Sequence, residues 1–124
     1  PLLESDLFTI MQATTNGTLK DVEVKFADKH ACCVILASNG YPTSYKKGFE
    51  MTFSDEAFAA TFIAGAKLEN DKLVTSGGRV TGTTAIATSL EEAIKEAYRL
   101  SDGVKFEGAY RRSDIGQKAL LASN

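Results

Sequence analysis

Residues that commonly carry catalysis are scarce in this sequence. Its 124 residues include one histidine, His30, and no serine or cysteine stands in a recognisable nucleophile motif. The chain also lacks a Gly-x-x-x-x-Gly-Lys-Ser/Thr loop for nucleotide phosphates and a carboxylate cluster typical of a magnesium site. We therefore expect neither a catalytic residue nor a metal site, and the chain by itself is not a complete enzyme.

Cysteine is limited to one adjacent pair, Cys32 and Cys33. Neighbouring residues of a strand point to opposite faces of the sheet, so these two thiols are poorly placed to bridge each other. Their spacing is not that of a metal site either. We expect both to pack as small apolar residues in a reduced, cytoplasmic environment.

Long apolar runs and an excess of either charge are also missing. No run approaches the length of a membrane span, and no signal peptide is visible. The formal net charge of −2 argues against a nucleic-acid surface and against binding to an anionic membrane. The 44% hydrophobic and 24% charged residues are typical of one soluble globular domain. Because it opens at Pro1 inside a helix-like pattern, we interpret the chain as a piece of a longer protein.

The hydrophobic pattern predicts an α+β fold of mainly antiparallel, hairpin-connected strands with one or two packed helices. The helices are predicted at residues 2–15, from Ser89 to Asp102, and in a turn around 118–121. Strands are predicted at residues 22–26, 31–37, 49–53, 58–67, 72–75 and 79–87, with a last short strand near Phe106. In the second helix, Ser89 is the expected cap and Glu92 stands at the reciprocal capping-box position.

The first predicted helix has two interpretations. Its apolar stripe ends at Asn16-Gly17, and a hinge is expected around residues 17–21. The stripe consists of Leu3, Leu7, Ile10, Met11 and Thr14. The helix either faces the core of this domain or belongs to a neighbouring domain.

The segment Gly77-Gly78-Arg79 is the first candidate binding site. Adjacent glycines permit a tight bend with exposed amides, and the guanidinium offers a fixed fork of donors for a phosphate or carboxylate. If residues 59–67 neighbour residues 79–87 in the sheet, Lys67 and Arg79 could reach one mouth of it. The alternative is a plain Gly-Gly hairpin with solvated charges beside it.

A polar loop at residues 38–48 is the second candidate. If the loop is functional, Asn39, Gly40 and Tyr41 form a lip over a cleft. The alternative is that the loop is only a surface connection between strands. Arg111 and Arg112 are the third candidate, and we expect a structural role there rather than contact with a ligand. An ion pair of Arg111 with a carboxylate such as Asp114 would tie the tail to the domain or to a neighbour.

Six short motifs follow one another in an order that points to one family. They are Ala37-Ser38-Asn39-Gly40-Tyr41-Pro42, Tyr45-Lys46-Lys47-Gly48, Ala64-Gly65-Ala66-Lys67, Gly77-Gly78-Arg79-Val80, Ser89-Leu90-Glu91-Glu92-Ala93 and Tyr110-Arg111-x-x-Asp114-Ile115-Gly116. Together they resemble the C-terminal region of phosphoribosylamine–glycine ligase, also called glycinamide ribonucleotide synthetase. The resemblance runs through essentially the whole chain.

The resemblance implies a parent ATP-grasp ligase of de novo purine synthesis that needs ATP and magnesium. Such an enzyme joins glycine to 5-phosphoribosylamine through a glycyl phosphate, giving glycinamide ribonucleotide. Residues 1–20 would end its ATP-grasp domain, and residues 21–124 would form a C-terminal domain similar to that of biotin carboxylase. This domain would pack against the other domains and help wall the active site, while the ATP and magnesium ligands would lie upstream. The alternative is a non-enzymatic module that braces a neighbouring domain.

The resemblance also implies residue roles. Lys67 and Arg79 stand where related enzymes hold the ribose phosphate, with Gly77 and Gly78 between them. The sequence departs from the family pattern at Ile63, where histidine is frequent, at Asn39, where glycine is common, and at Ala109, where an aromatic residue is common. None of these departures changes the Gly-Gly-Arg bend.

Overall fold

The computed structural model describes residues 1–122. Its helices are α1 (Leu7–Asn16), α2 (Asp55–Ala59), α3 (Leu90–Ser101) and α4 (Gln117–Ala122), with a 3₁₀ turn at Leu19–Asp21. Its strands are β1 (His30–Ser38), β2 (Thr52–Phe53), β3 (Thr61–Ile63), β4 (Ala66–Glu69), β5 (Lys72–Thr75), β6 (Arg79–Ala87), β7 (Val104–Lys105) and β8 (Ala109–Tyr110). None of the helices within residues 1–122 has the length and apolar character needed to cross a bilayer.

A four-stranded sheet in the order β3-β6-β1-β8 organises the domain. The long strands β1 and β6 lie at its centre, and each strand pair formed by residues 1–122 is antiparallel. Two further pairs, β2 with β7 and β4 with β5, form separate small sheets. The predicted α+β class with mainly antiparallel strands is confirmed, although β4 and β5 are the one pair of consecutive strands joined as a hairpin within the described residues.

Helix α3 covers one face of the central sheet. Cys32 and Val34 of β1 are buried against α3, whereas Cys33 and Ile35 point to the opposite, open face. Cys32 packs in the core as predicted, and burial raises the pKa of its thiol, whereas the prediction that Cys33 also packs is wrong, because its side chain is exposed on the open face. A second buried cluster extends the core beyond α3 and contains Leu36, Met51, Ala57, Val80, Val104 and Phe106.

The predicted cap of α3 is present. The Ser89 hydroxyl accepts a hydrogen bond from the Glu92 amide at 3.2 Å, which satisfies one of the free amides of the first turn. The Glu92 carboxylate accepts from the Thr88 hydroxyl at 2.9 Å, and this bond lowers the pKa of that carboxyl. The local sequence therefore determined where α3 begins.

The N-terminal prediction needs two corrections. Helix α1 begins at Leu7 rather than residue 2, because the Asp6 side chain caps it by accepting from the Thr9 amide at 2.7 Å. The strand predicted at residues 22–26 is wrong, since that segment forms only an isolated bridge between Phe26 and Leu3. Alternation alone does not make a strand when no neighbouring sheet accepts it.

The strand predicted at residues 58–67 is also wrong in its first part. The Ser54 hydroxyl caps α2, which includes Phe58, and the rest of the segment divides between β3 and β4 in different sheets. The strand predicted at 49–53 is shorter than expected, because only Thr52–Phe53 forms β2 while Glu50 makes an isolated bridge to Val74.

Candidate functional site

The Gly77-Gly78 bend connects two different sheets. Strand β5 before it pairs with β4, and strand β6 after it pairs with β1 and β3. The bend is therefore not the turn of a β5–β6 hairpin, and the plain hairpin interpretation is wrong. The chain passes here from the small β4–β5 sheet to the central sheet, at the edge where β6 begins.

Both glycines are required by close packing. A Cβ at Gly77 would lie 2.9 Å from the Cα of Gly65, so the two backbones touch directly. A Cβ at Gly78 would lie 2.1 Å from the ring of Tyr41, so this ring rests on the bare backbone of Gly78. Any side chain at either position would push these groups apart.

The predicted loop is held against the same bend. The Ser38 amide donates to the Gly78 carbonyl at 2.8 Å, and the Ser38 hydroxyl donates to the Gly77 carbonyl at 3.0 Å. Gly40 makes the following turn at a φ of +89°, with its carbonyl accepting from the Ser44 amide at 3.1 Å. The two candidate segments, predicted separately, thus meet in one place through Tyr41 and Gly78.

Two adjoining cavities open at this junction. One has a volume of about 700 Å³ and the other about 450 Å³, and Ile35, Tyr41 and Arg79 line both. The larger cavity lies on the open face of β1, where Cys33 also contributes, and is closed on one side by residues 110–115. The smaller cavity is lined by the backbone at Gly65 and Gly78 and by the residues Ala64 and Thr81.

Arg79 is the one arginine within residues 1–122 without a carboxylate partner. The other three arginines, Arg99, Arg111 and Arg112, each pair with an aspartate or glutamate at 2.6–2.9 Å. Because the charge of Arg79 is exposed and not neutralised by the protein, it is available to an anion that enters either cavity.

Arg111 and Arg112 line the larger cavity but are already engaged. Arg111 donates to Asp102 at 2.6 Å, donates to the Ser101 hydroxyl and lies 5.1 Å over the Tyr98 ring. The predicted partner of Arg111, Asp114, instead accepts from Arg112 at 2.6 Å, and this bond lowers the pKa of the Asp114 carboxyl. Arg111 therefore joins the segment after β8 to the end of α3.

Lys67 lies apart from this site. It is opposite Val74 in the β4–β5 pair, and its ammonium forms an ion pair with Glu69 at 2.8 Å. Lys67 lines neither cavity that contains Arg79. Lys67 and Arg79 would meet if the whole of residues 59–67 lay beside residues 79–87 in the sheet. Only β3 pairs with β6, whereas Lys67 belongs to β4, which lies in another sheet.

Asn39 and Gly40 line a third cavity of about 460 Å³, together with Tyr45, Lys46 and Glu107. They do not line the cavities at Arg79, so of the three predicted loop residues only Tyr41 reaches them.

The backbone donors at the bend are unequal. The Gly77 amide is used, because it donates to the Gly65 carbonyl at 3.0 Å. The Gly78 amide donates to no group within residues 1–122. Further along β6, the Thr81 hydroxyl is buried and has no partner within residues 1–122, but Thr81 pairs with Leu36, so its side chain lies on the buried face of the sheet and not at the bend. No local pattern signals this, because Thr81 looks like any other strand threonine.

Within the described residues 1–122, no three histidine, cysteine, aspartate or glutamate side chains are placed to hold a metal ion. These residues do not fit the magnesium site of the resembled family, so we derive no step through ATP or magnesium on this chain.

Comparison with known families identifies the domain. The family described as "Phosphoribosylglycinamide synthetase, C domain" matches residues 31–118, which is more than half of the chain. The chain belongs to this family. The matched span of this synthetase C domain contains the loop, the Gly-Gly bend and Arg79, while α1 precedes it.

Individual relatives of this synthetase C domain are longer proteins. The phosphoribosylamine–glycine ligase of Caldanaerobacter subterraneus is 47% identical over 93% of this chain and 28% of its own length. The human trifunctional purine biosynthetic protein adenosine-3 is 44% identical over 97% of this chain and 12% of its own length. The crystal structure of the Thermotoga maritima phosphoribosylamine–glycine ligase superimposes with a TM-score of 0.71 at 34% identity, covering 85% of this chain and 27% of that one. The C domain thus spans less than a third of each.

Proposed function

We propose that this chain is the C-terminal domain of a phosphoribosylamine–glycine ligase and that Arg79 holds the phosphate of 5-phosphoribosylamine. Gly77, Gly78 and Tyr41 shape the wall beside it. The observation that carries this proposal is that Arg79 lines two cavities and has no carboxylate partner in residues 1–122. In the parent enzyme, which we place in the cytoplasm, glycine, ATP and magnesium would bind mainly to other domains, and glycinamide ribonucleotide would be the product.

The chemistry of Arg79 suits a phosphate monoester. A guanidinium can donate two parallel hydrogen bonds to phosphate oxygens, and each charged hydrogen bond contributes on the order of 1.5–3 kcal/mol. The alternative, a bracing module without a ligand, predicts that its cations are neutralised by its own acids. Lys67 fits that description through Glu69, whereas Arg79 does not.

We further propose that residues 1–20 belong to the adjacent ATP-grasp domain and that residues 21–124 form the C-terminal domain, whose last two residues lie outside the described part. Leu7, Phe8 and Met11 on α1 are 57%, 70% and 61% exposed. A helix that exposes its apolar face in one domain is expected to bury it against another. The proposed partners are therefore the other domains of the ligase.

A titration of the full-length ligase with ribose 5-phosphate and with ribose tests the proposed function. We expect ribose 5-phosphate to bind at least about tenfold more tightly, because only it engages Arg79. Calorimetry at low and high salt measures the difference, which should shrink as salt screens the charge. Equal affinities for the two sugars would contradict the phosphate site.

Lys67 remains a separate prediction, because it can contact the phosphate only if its ion pair with Glu69 opens. If Lys67 stays paired with Glu69, we expect Lys67→Gln to change the affinity for ribose 5-phosphate by less than about threefold. An exposed lysine that is paired elsewhere contributes little to binding of the phosphate. A loss of tenfold or more in the same calorimetric assay would show instead that Lys67 moves to the phosphate.

A further inference from the structure

We propose that Tyr110 contacts the sugar of the pentose phosphate whose phosphate Arg79 holds, with its phenol hydroxyl bonded to the 2- or 3-hydroxyl of the ribose. This inference rests on the proposed function and extends it to a residue to which neither the sequence pattern nor the family resemblance gives a ligand. Tyr110 would then distinguish a ribose phosphate from a phosphate that lacks this hydroxyl.

The first observation is the strand register, which places Tyr110 and Arg79 in one row across the open face of the central sheet. Arg79 of β6 and Tyr110 of β8 are both paired with Ala37 of β1. Residues directly opposite each other in antiparallel strands share a face, so both side chains lie on the face that Ile35 and Cys33 occupy. Because neighbouring strands are about 4.8 Å apart, the backbones at Arg79 and Tyr110 are separated by about 10 Å. The row therefore has a cation at one end and a phenol at the other.

The second observation is that the space between these two side chains is open. Arg79, Ala37 and Tyr110 all line the cavity of about 700 Å³. The small side chain of Ala37 stands between the two larger ones, so it leaves the middle of the row free. Pockets for small molecules have volumes of about 300–1,000 Å³, so a pentose phosphate can lie across this row.

The third observation is the distribution of charge in the cavity. At one end, Arg79 has no carboxylate partner within residues 1–122. The two arginines that follow Tyr110 in the chain are instead paired with Asp102 and Asp114, each at 2.6 Å. The end at Tyr110 is therefore polar without an uncompensated charge. Such a cavity suits a ligand with an anionic group at one end and neutral hydroxyls at the other.

The fourth observation is that the Tyr110 phenol is unused while its backbone is fixed. Tyr110 is 55% exposed, and its hydroxyl bonds to no group within residues 1–122. The Tyr98 hydroxyl, by contrast, donates to the Arg112 carbonyl at 2.7 Å and accepts from the Ile115 amide at 3.0 Å. These bonds hold the segment after Tyr110 against α3. A phenol can both donate and accept, so the positioned Tyr110 can bond a sugar hydroxyl in either sense.

Calorimetric titration of the full-length ligase carrying Tyr110→Phe tests this contact. The probes are ribose 5-phosphate, its 2-deoxy and 3-deoxy analogues, and inorganic phosphate. We expect Tyr110→Phe to weaken binding of ribose 5-phosphate by about three- to tenfold, as the loss of one neutral hydrogen bond does. Binding of inorganic phosphate should stay within about twofold, because it engages only Arg79. The wild type should bind one deoxy analogue more weakly by the same factor, and Tyr110→Phe should no longer distinguish that analogue from ribose 5-phosphate.

Tyr45→Phe is the matched control for the loss of a phenol hydroxyl. Tyr45 lines the separate cavity of about 460 Å³, and its ring contacts the Tyr41 ring at 5.9 Å between centroids, a contact that phenylalanine keeps. We expect Tyr45→Phe to bind ribose 5-phosphate within about twofold of the wild type. Arg79→Gln, in contrast, should weaken binding of both ribose 5-phosphate and inorganic phosphate.

The outcomes separate this inference from the proposed function. If Arg79→Gln weakens ribose 5-phosphate but Tyr110→Phe binds it as the wild type does, Tyr110 is not a contact and only this inference fails. The same holds if Tyr110→Phe lowers the melting temperature while the affinity is kept, because Tyr110 then packs against another domain. A Tyr110→Phe variant that still distinguishes the deoxy analogues as the wild type does would also overturn it. If Arg79→Gln binds both phosphates as the wild type does, the proposed function fails and this inference fails with it.

Discussion

Replacing Arg79 with glutamine in the full-length ligase is expected to raise the KM for 5-phosphoribosylamine by about 10- to 100-fold. Glutamine can still donate hydrogen bonds but carries no charge, and the lost charged bonds contribute on the order of 1.5–3 kcal/mol. If Arg79 holds the phosphate as proposed, the effect should fall on KM with kcat little changed, because the phosphate is remote from the reacting amine and would be held equally in the ground and transition states. The KM values for ATP and glycine should stay within about twofold. Steady-state kinetics with each substrate varied in turn measures all three.

Arg112→Gln is the matched control for Arg79→Gln. Arg112 lines the same larger cavity, but its charge is already compensated by Asp114 at 2.6 Å. We therefore expect Arg112→Gln to change the KM for 5-phosphoribosylamine by less than about threefold. Equal effects of the two variants would mean that general positive charge, and not the unpaired Arg79, attracts the phosphate. An unchanged KM in Arg79→Gln would remove Arg79 from the phosphate site.

Gly65→Ala is expected to lower the free energy of unfolding by about 2–3 kcal/mol, through overpacking against the backbone. The added Cβ would lie 2.5 Å from the Arg79 carbonyl oxygen and 2.8 Å from the Gly77 Cα. Neither group is a flexible side chain that can turn away, so the bend and the start of β6 must shift. Because Arg79 moves with that backbone, the affinity for ribose 5-phosphate should fall as well. Urea denaturation and calorimetry of the same protein measure both effects.

Gly17→Ala separates the steric effect at Gly65 from the general effect of replacing a glycine. Gly17 ends α1 at a φ of +71° and has no atom within 4 Å of an added Cβ, so alanine is strained there only by its backbone. We expect a loss of about 1 kcal/mol and no change in sugar binding. If Gly65→Ala proves no more destabilising than Gly17→Ala, the close packing at the bend is not a constraint on the site.

Elements whose decisive contacts are close in sequence could be predicted well. The cap of α3 joins Ser89 to Glu92 within one turn, and the run from Ala31 to Ala37 is apolar enough to require a central strand. Prediction failed where the outcome depended on distant partners. Residues 22–26 alternate like a strand but find no sheet. The error at Phe58 has another cause, because the Ser54 cap that begins α2 is close in sequence and was outweighed by the apolar pattern.

The sequence by itself determined which residue types are available for binding an anion. Paired glycines before an arginine, and a turn that leads into Tyr41, are chemical properties of short segments and could be recognised without a structure. The order of the motifs also indicated the family, and the comparison with known families confirmed it.

Only the tertiary structure decided which of those residues form one site. Tyr41 meets Gly78 because β1 and β6 pair, and Lys67 lies apart from them because its strand pairs with β5 instead of β6. Whether a charge or a hydroxyl is free depends on every group that surrounds it in space. For that reason neither the unpaired Arg79 nor the unpartnered Thr81 could be recognised from a local pattern, and both emerge only once distant segments are packed together.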